Sequence, residues 1–349
     1  MPVKLYEIAK AAGVSISTVS RVLNHDTLKP ASKTTEEKVM QIATDLGYFA
    51  GHTVTPATQK STGERRNLAC LLASASDTFN DAFFSKIMVG IQEEALCLNY
   101  LVSHTLSGVD TNIESICTQI RAANSDGVIL MGRVRKDVMD AVKSITPNIV
   151  YAGLNRPDAG IDEVICDAYS AISESVDYLL SLGHRKIGFI GSIPSESSDV
   201  LNEHRFAAFS DTMQKHGLPV YAEYCKNITL STEQAYHATA ELVETGTLPE
   251  AFCCANDNVA IGVISALTER GIRVPNDISV IGIDNIEPAR FMYPRLTSFE
   301  MQNEELGRFA VKILNDRILG KHDIPISLRL PCTLIVRDSC RVRTMDSNA

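Results

Sequence analysis

An arginine set among small hydroxyl residues stands near the N-terminus, in the stretch GVSISTVSRVLN at residues 13–24. Arginine can donate two parallel hydrogen bonds to O6 and N7 of guanine or grip a phosphate, and small hydroxyl side chains let a helix backbone approach a groove closely. The chemistry that Ser17, Ser20 and Arg21 suggest is contact with a nucleic acid. An ordinary surface helix with a serine cap accounts for the same pattern equally well.

Three short helices have to position this stretch. The apolar residues of the first helix recur at helical spacing: Leu5, Ile8, Ala9 and Ala12. This helix ends at Gly13, which can adopt positive φ, and Ser15 can cap a second helix. The buried stripe of the second helix is Ile16, Val19, Val22 and Leu23. A third helix is expected from about Ser32 to Gly47. Two helices joined by a tight glycine-containing turn form a helix-turn-helix, whose second helix can lie in the DNA major groove.

Charge is distributed unevenly along the chain. The formal net charge is −9, but residues 1–66 hold nine Lys and Arg against six Asp and Glu, so they carry +3 and the remainder carries −12. This distribution favours contact with nucleic acid by the N-terminal part alone. The N-terminus has no charged leader followed by an apolar core, and no apolar run is long enough to cross a bilayer. We therefore expect a cytoplasmic protein.

The cysteines point to the same compartment. There are nine, an odd number at irregular spacing and without a CxxC pair, and most of them stand in apolar surroundings. This pattern predicts buried thiols rather than a disulfide framework or a zinc site. Neither a metal nor a cofactor is expected.

The sequence changes character after a linker. Residues 50–66 are rich in Gly, Thr, Ser, Pro and charge, and from Asn67 strand-length apolar runs such as SDGVILMG, KIGFIG and DISVIGID alternate with amphipathic helices. This alternation predicts an α/β body of parallel sheets flanked by helices. The body is too long for one sheet, so we expect two lobes, 67–160 with 291–322 and 161–290 with 323–340. A ligand would bind in the cleft between them, at the carboxyl ends of the strands.

The stretch LYEIAKAAGVSISTVSRVLN, followed by a third helix ending in LGY, closely resembles the DNA-binding head of the lactose/galactose-repressor family of bacterial transcription regulators. The likeness continues through SLGHRKIGFIGS, CANDNVAIGVISALTERGIRVPNDISVIGIDN and YPRLTSFEMQNEELGRFAVKIL. It implies a three-helix helix-turn-helix head at residues 1–49, a hinge at 50–66 and a periplasmic-binding-protein-like body. It also implies a repressor of carbohydrate-utilisation genes that binds double-stranded operator DNA as a homodimer and responds to a small sugar.

The resemblance also assigns DNA contacts. Ile16, Ser17 and Arg21 match positions that face the bases, and Thr18 and Ser20 match phosphate contacts. The complete predicted set is Ser15, Ile16, Ser17, Thr18, Ser20, Arg21 and Asn24. The family usually continues with a hinge helix of pattern P-N-x-x-A-R-x-L, but this chain has FAGHTVTPATQ, with Pro56 inside the helix and Ala57 in place of the leucine. We expect an irregular hinge, or one that folds only on DNA.

In the cleft, the resemblance points to seven effector-binding residues: Asp81, Phe83, Phe84, Arg205, Asn256, Asp257 and Asp284. Structural roles are the alternative for each, because an aspartate at a strand end often caps the next helix and a phenylalanine usually lies in the core. Carboxylates, an amide and the rigid fork of an arginine suit the hydroxyls of a sugar. Met301 and Asn303, however, replace polar or aromatic contacts of sugar-specific relatives, so a nucleobase or another metabolite is the alternative effector.

Two other classes of protein are disfavoured. A solute-binding protein of a transporter would carry an export signal and no DNA-binding head. An enzyme would need a catalytic constellation, and the chain contains neither a G-x-S-x-G elbow nor a phosphate-binding P-loop. The C-terminal tail lacks the leucine heptads of tetrameric family members, so a homodimer is expected.

Overall fold

The computed structural model falls into two compact units, Met1–Glu64 and Arg65–Ala349. The residues that it describes are 5–15, 18–19, 22, 32–45, 66–73, 82–107, 112–195 and 198–343. The first unit is a small helical head and the second is an α/β body. None of the described helices combines the length and the apolar character that a membrane span requires.

The head is built on a small apolar core. Helices α1 (Leu5–Ala12) and α2 (Lys33–Asp45) contribute Ile8, Ala9, Ala12, Val39 and Ala43, and Val19 and Val22 complete the core from the helical residues between them. Gly13 ends α1 at φ 68°, a conformation that favours glycine. Of the predicted apolar stripes of the first two helices, Ile8, Ala9, Ala12, Val19 and Val22 are buried, whereas Ile16 and Leu23 lie outside the described residues.

The first sheet of the body consists of parallel strands. They are β1 (Arg66–Ala73), β2 (Tyr100–Ser107), β3 (Gly127–Gly132), β4 (Ile149–Gly153), β5 (Asp162–Cys166) and β11 (Ser327–Leu330), in the spatial order β11-β5-β4-β3-β1-β2. Helices α3 (Ala82–Cys97) and α11 (Asn303–Ile318) cover one face, and α4 (Ile113–Ala122) and α5 (Lys136–Lys143) cover the other. Because both faces are covered, β4 and β5 are buried along their whole length.

The second sheet repeats this plan. Its strands are β6 (Ile187–Gly191), β7 (Cys225–Asn227), β8 (Ala251–Cys254), β9 (Ser279–Asp284), β10 (Thr297–Glu300) and β12 (Thr333–Ile335), in the order β12-β10-β9-β8-β6-β7, and β12 alone pairs antiparallel. Its helices are α6 (Ala168–Ser181), α7 (Arg205–Lys215), α8 (Thr232–Glu244), α9 (Asp257–Glu269) and the short α10 (Glu287–Phe291). The two sheets confirm the predicted α/β body.

The sheets divide the chain at other points than the predicted lobe boundaries. Strands β5 and β11 pair within the first sheet, although residues 161–290 and 323–340 were expected in the second lobe. Strand β10 pairs within the second sheet, although 291–322 was expected in the first. The alternation of strands and helices carries no information about which neighbour a strand joins. The observed strand pairing shows that the chain crosses between the lobes three times, after β5, after β10 and after β11.

Helices α3 and α11 approach each other closely through two glycines. A Cβ atom on Gly90 would lie 1.9 Å from the carbonyl oxygen of Glu304, and one on Gly307 would lie 2.2 Å from that of Ile87. Backbone therefore packs directly on backbone. This contact anchors α11, which follows the second crossing, to the first lobe.

Candidate ligand cleft and DNA-binding head

The three crossings between the lobes meet at one place. Sγ of Cys332, just after β11, lies 3.3 Å from Sδ of Met301, just after β10, and 4.0 Å from the carbonyl oxygen of Asp167, just after β5. Burial raises the pKa of Cys332 to about 12, with further contributions from the charges of Cys166, Asp167 and Asp284 among others. Asp284, at the end of β9, pairs with Glu300, the residue before Met301, and so lies near this crossing point.

A segment after β6 reaches from the second lobe to the first. We call residues 199–204 the bridging segment. The amide of Lys136 donates to the carbonyl oxygen of Asp199 (2.9 Å), and the amide of Leu201 donates to that of Val134 (2.9 Å). These contacts form a short antiparallel bridge with the chain that leaves β3.

The side chain of Asn202 strengthens this bridge. Its Oδ1 accepts from the amide of Val134 (2.9 Å), and its Nδ2 donates to the carbonyl oxygen of Gly132 (2.8 Å) and to the hydroxyl of Tyr151 (2.6 Å). Asn202 is buried, and burial raises the pKa of Tyr151, so the phenol stays protonated. The bridging segment is thus fastened to the carboxyl ends of β3 and β4.

Arg205, the predicted ligand-gripping arginine, follows the bridging segment at the start of α7. Its Nε and Nη2 donate to Oε1 and Oε2 of Glu203, at 2.8 and 2.5 Å, and its Nη1 donates to the carbonyl oxygen of Ala255 at 3.3 Å. Both partners of this ion pair are buried. Burial alone would raise the pKa of Glu203, but the positive charges of Arg205 and Arg133, together with hydrogen bonds from Arg205, outweigh it and lower that pKa.

A second arginine from the first lobe faces the same carboxylate. Nε of Arg133, just after β3, lies 3.6 Å from Oε2 of Glu203 and makes no hydrogen bond to any described residue. Burial lowers the pKa of Arg133, and the charge of Glu203 opposes this effect. The Arg133 side chain keeps 29% of its surface exposed, so it can still reach a ligand.

Asp284 approaches the same group from the second sheet. It ends β9 with a φ of 111°, is buried, and its negative charge is one of the causes that raise the pKa of Arg205, after the larger effect of Glu203. Two of the predicted effector residues, Arg205 and Asp284, thus lie close enough to interact electrostatically, beside the carboxyl ends of β8 and β9 of the second sheet.

Asn256 and Asp257, two further predicted effector residues, make hydrogen bonds within the second lobe. Oδ1 of Asn256 caps α9 by accepting from the amide of Val259 at 2.9 Å. Asp257 is fully buried, and its two carboxylate oxygens accept from the hydroxyl of Ser298 (2.6 Å) and the amide of Ile286 (3.0 Å). Burial raises the pKa of Asp257 to about 7. Asp257 therefore holds the loop after β9 in place.

The predicted aromatic residues lie in the first turn of α3. The rings of Phe83 and Phe84 pack edge to face with their centroids 5.0 Å apart. Phe83 is buried in the core, and Phe84 is partly buried against it. The adjacent Asp81 lies outside the described residues.

The head shows part of the predicted DNA-binding set. The amide of Thr18 donates to Oγ of Ser15 at 3.1 Å, which is the N-cap geometry expected at the start of the second helix. The other predicted contacts lie outside the described residues: Ile16, Ser17, Ser20, Arg21 and Asn24. The predicted hinge, including Pro56 and Ala57, lies outside them as well.

Three residues of this site, Glu203, Arg133 and Asn202, were not predicted from the sequence. Glu203 is only two residues from Arg205, so the sequence itself could have indicated an ion pair between the two side chains. Arg133 and Asn202 carried no such signal, because their contacts join segments 51 or more residues apart. Among the described residues, no group of three or more His, Cys, Asp and Glu side chains is arranged to hold a metal ion.

The helical head and the two-lobed body with its facing strand ends define a class of protein, the ligand-responsive DNA-binding regulators. Residues 4–50 match the model of the "Bacterial regulatory proteins, lacI family", and residues 176–340 match a "Periplasmic binding protein-like domain". The HTH-type transcriptional repressor MelR of Bacillus subtilis (strain 168) is 31% identical over 354 residues, which cover 97% of each chain. The chain therefore belongs to the lacI family of bacterial regulatory proteins.

Solved structures agree with this assignment. A lac repressor dimer bound to operator and the anti-inducer ONPF superposes with a TM-score of 0.69 at 25% identity, covering 98% of this chain and all of that one. A complex of the transcriptional regulator CelR with cellobiose superposes with a TM-score of 0.70 at 24% identity, covering 97% of this chain and 99% of that one. The matched residues include both the head and the body.

Proposed function

We propose that this chain is a repressor of carbohydrate-utilisation genes, which binds operator DNA as a homodimer and changes its operator affinity when a small sugar occupies the cleft. The observation that carries the proposal is the meeting of Arg133, Glu203, Arg205 and Asp284 between the lobes of a chain that also has a lacI-family head. Charged donors and acceptors that converge between two lobes suit a small polar ligand.

The lobes are joined in a way that supports a response to ligand. The three crossings meet around Cys332, while the bridging segment spans the lobes at their strand ends. A ligand between the lobes favours the arrangement to which it binds more tightly, and the difference in affinity sets how far the population shifts. The two heads of a dimer read two half-sites, so a changed separation of the heads changes operator affinity.

Two features support a cytoplasmic location. All nine cysteines are free, as expected in a reducing compartment, and an operator-binding protein has to share its compartment with the DNA. The similarity to repressors over nearly the whole length supports a regulator rather than an enzyme.

Fluorescence anisotropy with labelled DNA from upstream of the protein's own gene and its neighbours tests the function. We expect one fragment to bind specifically and its dissociation constant to change at least tenfold with one member of a panel of sugars. Arg21→Ala should abolish specific binding, whereas Arg273→Ala, on the exposed surface of the body, should leave it unchanged. Failure of every fragment to bind, with or without sugars, would refute a regulator. If operator affinity changes with nucleobases but with none of the sugars, the effector is a nucleobase and the sugar part of the proposal is wrong.

A further inference from the structure

The charged groups of the cleft balance one another. Two arginines, Arg133 and Arg205, face two carboxylates, Glu203 and Asp284, and each of the four influences another electrostatically. Glu203 is the centre of this group, because both arginines pair with it and its side chain is 1% exposed. The cleft therefore carries a buried carboxylate of its own at the place where an acidic ligand would have to pair with arginine.

The donors of Arg205 are already partly used. A guanidinium group has five N–H donors. Two of those of Arg205 go to Glu203 and one to the carbonyl oxygen of Ala255, so two make no hydrogen bond to the part of the chain that the structure describes. The edge formed by Nε and Nη2, which can grip a carboxylate with two parallel hydrogen bonds, is filled by Glu203. The Arg133 side chain, which keeps 29% of its surface exposed, can still donate to hydroxyl oxygens.

We propose that Glu203 makes the cleft selective for uncharged polyhydroxylated ligands and against their carboxylated or phosphorylated counterparts. This inference rests on the proposed function, because it assigns the ligand class of the same cleft. A ligand anion would place a third negative charge beside two positive ones, or would have to displace Glu203 from a buried ion pair. A neutral ligand meets neither obstacle, since its hydroxyls can donate to the carboxylates and accept from the arginines.

Isothermal titration calorimetry with matched pairs of sugars tests the selectivity. The pairs are glucose, galactose and cellobiose, each with its uronate or 6-phosphate counterpart. We expect the wild-type chain to bind the neutral member of at least one pair at least tenfold more tightly than the anionic member. Glu203→Gln should shift this ratio at least tenfold towards the anion, because it frees the positive charge of Arg205.

Two further variants make the test specific. Glu163→Gln is the matched control, because Glu163 is also a buried carboxylate that accepts from an arginine, Arg156 at 2.9 Å, but it stands at the amino end of β5, whereas the crossing follows the carboxyl end of that strand. Its ratio should equal that of the wild type. Arg133→Gln keeps the buried pair of Glu203 and Arg205 intact and should move the ratio further towards the neutral member. If the chain with Glu203→Gln does not fold, as judged by circular dichroism, the ratio of affinities measured for Arg133→Gln tests the selectivity instead.

The outcomes separate the two proposals. An anionic member that binds the wild type as tightly as its neutral counterpart overturns the selectivity but leaves a sugar-responsive regulator standing. A ratio that neither Glu203→Gln nor Arg133→Gln changes also overturns it. If no sugar of either kind binds, both the ligand class and the sugar part of the proposed function fall, while operator binding is decided separately by anisotropy.

Discussion

Asp257 is expected to make the stability of the body depend on pH, and Asp257→Asn should remove that dependence. The carboxyl group is fully buried between the hydroxyl of Ser298 and the amide of Ile286. An amide of the same shape can keep both contacts, because its oxygen accepts from Ile286 and its nitrogen donates to the hydroxyl oxygen of Ser298. The substitution therefore removes a titrating group while the packing of the loop after β9 is preserved.

The sign follows from the two pKa values of this carboxyl group. Burial raises the pKa of Asp257 in the folded chain to about 7, against the pull of Ser298, Ile286 and the charge of Arg337. The pKa in the unfolded chain is about 3.9. The folded chain therefore holds a proton that the unfolded chain has released, and this stabilisation is complete below the unfolded pKa and is lost as the pH rises through the folded one. Linkage gives a loss of about 2.5 kcal/mol between pH 5 and pH 8.

Urea denaturation followed by far-ultraviolet circular dichroism measures this difference, since the chain has no tryptophan. The free energy of unfolding of Asp257→Asn minus that of the wild type should rise by about 2.5 kcal/mol from pH 5 to pH 8. Asp277→Asn is the control, because Arg273 lowers the pKa of Asp277 to about 2 and the carboxylate stays ionised throughout this range. A flat or falling difference for Asp257→Asn would refute the assignment of a raised pKa to this group.

Three further changes should lower stability in the same denaturation assay. Gly90→Ala places a methyl group against the carbonyl oxygen of Glu304 and should cost about 3 kcal/mol; a cost under about 1 kcal/mol would contradict the backbone contact. Asn256→Ala removes the cap of α9 and should cost about 1 kcal/mol; no change would mean that the cap is not needed. Asp162→Asn leaves Arg317 without its buried counter-charge and should cost about 3 kcal/mol at neutral pH, whereas an unchanged midpoint would argue against the ion pair.

The fold could be predicted where the signal is local. The continuous apolar runs of β4, β6 and β9 predict strands that are covered on both faces, and these strands are buried throughout. The lobe boundaries could not be predicted in the same way. Strand β5 joins β4 through pairs such as Val150 with Asp162, and β11 joins β5 from more than 160 residues away. The local amino-acid composition of these strands does not indicate which strands they pair with.

The candidate site shows the same limit. A strand-end asparagine predicted a cap or a ligand contact, and Asn256 makes the cap. For the next residue the sequence could not separate a ligand contact from a structural role. The partners of Asp257, Ile286 and Ser298, come from 29 and 41 residues further along the chain. Their presence around one carboxylate follows from the order of β8, β9 and β10 in the sheet, which no single segment encodes.

The position of Glu203 links ligand chemistry to the arrangement of the lobes. Glu203 directly follows Asn202, whose side chain holds the first lobe through Gly132, Val134 and Tyr151. Because Asn202 and Glu203 are consecutive, a ligand that pulls on the ion pair of Glu203 also pulls on the hydrogen bonds that bridge the lobes. If Glu203 selects neutral ligands as proposed, the residue that chooses the ligand is adjacent to the residue that links the lobes.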